Sequence, residues 1–284
     1  MSKVGHIFSA NNGGRQWLRT LRISAGVLLV ARTLSEWGSH TLLYSSHGFI
    51  PSDIAVFSQL PFIPSLQGLY GYIQPYLRES LFLQAYFGMT LIAAMMLVAG
   101  YYTRIAAIMS WALTVITLNS SHLTSYGFDA ILTMMLFYCV IFAVGSAGIS
   151  ETEDNLSHVY LKTLQFHVCI IYFVNAVSKI TGPAWHDGSG LWDMVHQPQF
   201  TSWITPFMVR LLSVPHVAAP AGMLVIILEL LFPFLIWIRP VQRQILSAII
   251  LLHLIIAAVM GLWLFALAMI LLDISAFGVI FRPD

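Results

Sequence analysis

Several ionisable side chains interrupt long apolar stretches of this chain, where each costs several kcal/mol unless a partner or a wet cavity receives it. Lys179 closes the run QFHVCIIYFVNAVSK. On a helix, Gln165, Tyr172, Asn175 and Lys179, spaced by seven, three and four residues, fall on one face. Such a stripe on an otherwise apolar helix predicts a lined cavity. A lysine there loses charge as water is removed, and a neutral amine is a usable base near neutral pH. The alternative is that Lys179 snorkels to the outer interface along its own aliphatic stem. Glu229 lies near the middle of another apolar run and His253 in the next. Adjacent antiparallel helices would bring these two together, either as a proton relay or as a buried hydrogen bond that specifies packing. Asp129 follows Tyr126-Gly127 at the start of a further run, and reads either as an outer-mouth group or as a helix cap. Asp273 and His167 read as structural.

The segment GPAWHDGSGLWD adds His186, Asp187 and Asp193. These are metal-ligating types, but their spacing matches no zinc pattern. Gly182, Gly188 and Gly190 favour a turn beneath an aromatic cap that includes Trp185. No metal is assigned. There is no Walker loop, GxGxxG, GxSxG or HExxH. Cys139 and Cys169 both fall in apolar runs and read as small buried hydrophobes, with a disulfide between them left open.

The elements that must position these groups follow from composition. Of 284 residues, 58% are hydrophobic and only 9% charged, and mean hydropathy is +0.81. A soluble domain carries about 25% charged residues, so most of this surface meets lipid. A span needs about 20 apolar residues. The runs 18–38, 81–100, 103–121, 128–148, 160–181, 217–238, 242–259 and 262–281 predict an all-α, polytopic bundle of about eight transmembrane helices. The last two runs, broken near Gly261, are either a tight hairpin or one kinked helix. The basic amino terminus precedes a run interrupted by Arg32 and Glu36, which predicts an uncleaved first span. With that terminus inside, Lys3, Arg15, Arg19, Arg22, Arg104, Lys162, Arg239, Arg243 and Arg282 gather on the inner side. Arg78, Arg210 and Lys179 are left outside, so both termini are expected in the cytoplasm. The long connections at about 39–80 and 182–216 are then outer-face loops. Their proline and aromatic content predicts folded caps or half-buried interfacial segments rather than linkers. The net charge of +1 gives no electrostatic case for nucleic acid. No internal repeat supports an inverted-repeat transporter.

The segment 165–188, QFHVCIIYFVNAVSKITGPAWHDG, resembles the region of vitamin K-dependent γ-carboxylases that reads roughly Q-x-x-x-x-Y-F-x-x-G-x-x-K-L…W-x-x-G. Three further stretches are similar to the wider group called HTTM proteins: LRISAGVLLVARTLSEWGSHTLLYSSHGFIP, GYYTRIAAIMSWALTVITLNSSHLTSYGFDAILTMMLFYCVIFAVG and ELLFPFLIWIRPVQRQILSAIILLHLIIAAVMGLWLFALAMI. Together they cover most of the chain, in the family's order, as one HTTM-like domain over 1–284. The short form looks like the sporulation-delaying protein B type, membrane proteins that help mature a secreted antimicrobial peptide alongside a small sporulation-delaying protein A-like partner.

The resemblance implies that Lys179 is the catalytic base toward a reduced, vitamin K-like quinone. His253 and Glu229 then fall on conserved polar positions. Tyr172, Asn175, Gln165 and Trp185 would contact that cofactor, and Asp129, His186 and Asp187 would stand at the outer mouth. Asp129 departs from the family, since the γ-carboxylase has a histidine near that position. The large luminal domain of the γ-carboxylase has no counterpart here, which removes the case for glutamate carboxylation. The expected function is a membrane enzyme or enzyme subunit acting at the outer face of the cell membrane on a secreted peptide. Its rivals are a non-catalytic scaffold that binds or exports the peptide and a quinone-coupled redox protein.

Overall fold

The computed structural model describes residues 16–120, 125–144, 151–185, 189–197, 201–214 and 217–278. Among them the regular structure is entirely helical. The helices are α1 (Gln16–Glu36), α2 (His40–Tyr44), α3 (Ser52–Ala55), α4 (Leu66–Ile73), α5 (Glu79–Ala99), α6 (Thr103–Ser120) and α7 (Gly127–Val144). They continue with α8 (Glu151–Thr181), α9 (Ser189–His196), α10 (Thr205–Leu212), α11 (Ala218–Leu235), α12 (Gln242–Met260) and α13 (Trp263–Phe277). The eight apolar runs of the sequence coincide with α1, α5, α6, α7, α8, α11, α12 and α13. Four segments, Glu79–Ala99, Ser157–Thr181, Ala218–Leu235 and Gln242–Met260, are long and apolar enough to cross a bilayer. Gly127–Phe142 and Trp263–Phe277 are apolar but shorter. Helix α1 has the length, but Arg19, Arg22, Arg32 and Glu36 dilute its apolar character.

The chain forms two compact units, one of Leu18–Glu153 and the other of Met1–Trp17 with Asp154–Asp284. In the first, α1 packs closely on α5. A Cβ at Gly26 would stand 2.6 Å from Val98 Cγ2, so this crossing needs the smallest residue, as close helix contacts in apolar surroundings do. Helix α5 ends at Gly100 in the left-handed region, φ +82°. There the Arg22 guanidinium donates to the Leu97 and Val98 carbonyls, the latter at 3.0 Å. A cation at that end satisfies carbonyls left free by the helix and opposes its dipole.

The loop 39–80 is a folded cap, as its composition predicts. Tyr44, Leu66, Phe82, Leu83, Tyr86, Phe87 and Leu113 form a buried cluster beneath it. Asn119 accepts from the Leu60 amide at 2.8 Å and donates to the Ile63 carbonyl at 2.8 Å. Ser120 Oγ accepts from the Leu66 amide at 2.7 Å.

In the second unit, α8, α11, α12 and α13 carry the polar groups of interest, and α9 and α10 lie within the connection 182–216. Val195, Leu212, Ala218, Val259 and Met260 pack those short helices onto α11 and α12. Thr205 Oγ1 donates to the Val259 carbonyl at 2.7 Å, capping the end of α12.

The chain between α12 and α13 is a hairpin and not a kinked helix. Gly261 adopts φ +70°, and the His253 ring lies 6.1 Å from the Phe265 ring. Twelve residues of continuous helix would separate those rings by about 18 Å. A Cβ on Gly261 would also stand 2.7 Å from the Thr201 carbonyl oxygen. Gly261→Ala therefore meets a backbone penalty of about 1–2 kcal/mol and a backbone clash besides. It should clearly lower the thermal unfolding midpoint in detergent. Gly88→Ala, where an added Cβ meets nothing within 4 Å, should leave the midpoint unchanged or raise it.

Candidate functional site

The polar groups of the second unit converge on the carboxy-terminal half of α8. Lys179, in its last turn, places Nζ 2.6 Å from Glu229 Oε2 on α11. Their side chains are 19% and 8% exposed. The sequence led to an uncharged lysine in an apolar hollow. The structure corrects this, because a carboxylate at contact distance compensates the desolvation of the ammonium, and the two form an ion pair. It also corrects the expected Glu229–His253 pair, since Glu229 is engaged by Lys179.

The Trp185 ring stands over the ammonium, 5.5 Å from Nζ to centroid, in cation–π geometry. Trp185 ends a 3-10 turn, Pro183–Trp185, and glycines make room for its indole. A Cβ on Gly190 would lie 3.0 Å from the ring, and one on Gly222 3.5 Å. Local sequence thus sets the roof of the pair: a proline-initiated turn lifts Trp185, and two small residues on α9 and α11 receive it.

Further along α8, the Tyr172 hydroxyl donates to Asp273 Oδ2 of α13 at 2.7 Å. Asp273 is fully buried, and its Oδ1 has no hydrogen-bond partner among the described residues. The Tyr172 ring packs on Phe232 at 4.5 Å and meets His253 edge-on at 6.0 Å. His253 is buried, with Nδ1 2.9 Å from the Ile249 carbonyl. A carbonyl partner requires the proton on Nδ1, which leaves Nε2 as an acceptor. Asp273, read as structural from sequence, thus joins Tyr172 and His253 in one buried polar group on the helices that carry the ion pair. The signal for it was present, since a carboxyl in an apolar run is itself unusual.

The expected ring of cofactor contacts does not converge. Ala176, not Asn175, continues the buried face of α8, and Asn175 is exposed. Relative to Tyr172, four residues rotate about 40° and three about 60° the other way, enough to carry Asn175 outward. Gln165 donates to the Ala276 carbonyl at 2.7 Å. It lies fourteen residues from Lys179, about 21 Å along the helix, so one quinone head cannot touch both. The Tyr172 hydroxyl is committed to Asp273. Of that set, Trp185 alone stands at the pair.

Asp129 is not at an open mouth. It belongs to the other unit, is 4% exposed, and accepts from Arg32 Nε at 2.7 Å and from the Tyr126 amide at 3.0 Å. Arg32 also pairs with Glu36 at 3.4 Å, and the Tyr44 hydroxyl donates to Glu36 at 2.9 Å. Burial pushes the Tyr44 phenol well above its ordinary pKa, so it donates as a neutral group. In sequence, Arg32 and Glu36 registered only as interruptions, although their i,i+4 spacing is an ion-pair signature. His186 and Asp187 lie outside the described residues. Asp193 is exposed. Among the described residues no three His, Cys, Asp or Glu side chains gather as metal ligands. Cys139 and Cys169 are free, buried thiols.

The chain matches no protein-family model, no curated protein and no solved structure.

Removing one partner of the Lys179–Glu229 pair leaves a desolvated charge. Lys179→Met or Glu229→Leu should each destabilise the protein toward the lower end of the about 3–5 kcal/mol seen for fully buried pairs, because Lys179 retains some exposure. The double variant should recover most of that loss in a double-mutant cycle read by thermal unfolding. Additive losses would mean that the two groups do not interact.

Proposed function

We propose that the chain is a multi-pass protein of the cell membrane, with about eight spans and both termini cytoplasmic. In this reading it is an HTTM-like membrane enzyme or enzyme subunit that acts at the outer face on a secreted peptide. The eight helices that match the eight apolar runs support the span count. The Lys/Arg asymmetry supports the orientation, which sets Lys179, Trp185 and the loop 182–216 on the outer side. The resemblance of 165–188 to the γ-carboxylase segment supports the enzymatic class, and the resemblance to the sporulation-delaying protein B type supports peptide maturation with a small sporulation-delaying protein A-like partner.

The single observation that carries the reading is the amine–carboxylate contact of 2.6 Å beneath an indole roof. In apolar surroundings such a pair can exist as ammonium and carboxylate or, after one internal proton shift, as amine and carboxylic acid, with the same net charge. Lys179 is then a base without the site bearing a lone buried charge. A substrate proton moves to the amine while Glu229 holds the proton displaced from it, and a substrate anion is left beside the ammonium. Trp185 limits water at the amine, which strengthens that electrostatic stabilisation. We assign the onward proton acceptor to His253, whose Nε2 remains an acceptor. A reduced quinone is the cofactor that the resemblance implies. Because its expected contacts do not form one pocket, the mechanism rests on the pair and no step runs through a quinone.

Lys179→Met and Glu229→Gln should each abolish production of the mature peptide in a producing strain while the protein still accumulates in the membrane. Peptide masses in culture supernatant, together with quantification of the membrane fraction, make the comparison. Normal maturation in both variants would make the pair a packing device and the protein a peptide-binding scaffold. Orientation is read separately: alkaline phosphatase fusions should be active within 39–80 and 182–216 and inactive at either terminus.

A further inference from the structure

The cap between α1 and α5 leaves a dense set of apolar side chains uncovered. Phe49 is 75% exposed, Phe57 90% and Phe62 77%, with Tyr72 and Tyr76 at 84% and 88%. A soluble surface rarely shows such a patch without a partner. Four facts identify the partner.

The first is continuity. Helix α5, which is long and apolar enough to cross a bilayer, begins at Glu79, three residues after Tyr76, so the cap is tethered at the level where that helix leaves the membrane. The second is charge. From Phe49 to Leu77 the chain has no lysine, arginine, histidine or glutamate and one aspartate, Asp53. It offers hydrocarbon and aromatic rings, with no basic groups for an acidic polymer or an anionic headgroup. The third is the backbone. Groups of this irregular segment that would be costly in a dry layer are tied off from inside, by Asn119 to Leu60 and Ile63, by Ser120 to Leu66, and by Ser65 Oγ accepting from the Gly68 amide at 3.1 Å. Non-helical backbone enters lipid only when satisfied in this way. The fourth is a groove of about 490 Å³ between the 3-10 turn Val56–Ser58 and α4, walled by Leu60, Phe62, Ile63, Leu69 and Tyr72. Its volume and largely apolar walls suit a lipid chain end, and Tyr72 in its lining suits the headgroup level.

We propose that this cap is an interfacial lipid-binding element. Phe57 and Phe62 are immersed at the acyl–headgroup boundary of the leaflet where α5 begins, and the groove seats the acyl chain of a lipid from that leaflet. The proposal needs α5 to cross the bilayer but is independent of the chemistry at Lys179.

Nitroxide labels at Phe57→Cys and Phe62→Cys, in full-length protein reconstituted into phosphatidylcholine nanodiscs, test it. The native cysteines are buried. Ile92→Cys, on the exposed face of α5, serves as the lipid reference, and Gln74→Cys as the polar reference. Power-saturation electron paramagnetic resonance should show both cap labels with an oxygen-to-nickel accessibility ratio well above that of Gln74 and below that of Ile92, as a boundary depth requires. Accessibility to nickel like that of Gln74 would overturn the proposal, since the cap would then stand in water. So would labels screened from both reagents, which would mean that protein covers the patch. If either variant fails to reconstitute, Ile54→Cys, 53% exposed, takes its place with the same expected and contrary outcomes.

Discussion

A charge inside an apolar helix bundle must be answered by another charge, and in this protein that requirement organises each unit. In one, Lys179 of α8 and Glu229 of α11 answer each other at 2.6 Å. In the other, Arg32 answers Asp129 at 2.7 Å and Glu36 at 3.4 Å. Such pairs add little net stability over a well-packed hydrophobic substitute, while leaving one partner alone is expensive. They therefore fix which helix faces which, and at what rotation, more than how firmly helices adhere. The surrounding packing follows that constraint. Gly190 and Gly222 leave space for the indole over Lys179, and Gly26 lets α1 approach α5 closely enough for the Arg22 guanidinium to reach the end of that helix.

The two pairs differ in what surrounds them. In the Arg32 cluster the guanidinium, both carboxylates and the Tyr44 hydroxyl answer one another, and Asp129 accepts from the Tyr126 amide as well. The Lys179 cluster is open-ended. His253 keeps an acceptor nitrogen, and Asp273 keeps an oxygen with no partner among the described residues. Unspent hydrogen-bonding capacity in buried groups marks the place where chemistry has room to occur. The proposed function is assigned to this cluster and not to the Arg32 network for that reason.

Helix positions were legible in the sequence because the bilayer-scale length of each apolar run and the punctuation at Gly100 and Gly261 are local signals. Each apolar run overlaps an observed helix, although α8 begins nine residues before its run, and the prolines and aromatics of 39–80 foretold a folded cap. The geometry of the site was only partly legible. Lys179, Glu229, His253 and Tyr172 stood out as polar groups in apolar runs, and they do gather in one unit. Their pairing did not stand out, because partner choice depends on the relative rotation of helices that lie far apart in sequence. Lys179 and Glu229 are fifty residues apart. The stripe through Asn175 failed for a smaller reason: a spacing of three or four leaves some 100° of ambiguity, and Ala176 takes the inward position. Arg32 registered in the sequence only as an interruption of the first run, whereas it is buried between two carboxylates.

The central claim is that Lys179 Nζ and the Glu229 carboxylate stand at contact distance as an ion pair. Solid-state NMR on protein in lipid, with 15N-labelled lysine and 13C-labelled glutamate, measures this directly through the dipolar coupling between Lys179 Nζ and Glu229 Cδ. The account predicts a strong coupling for this pair that disappears in Glu229→Gln protein prepared with the same labels. A lysine nitrogen with no glutamate coupling, in protein whose helices are otherwise intact, would contradict it.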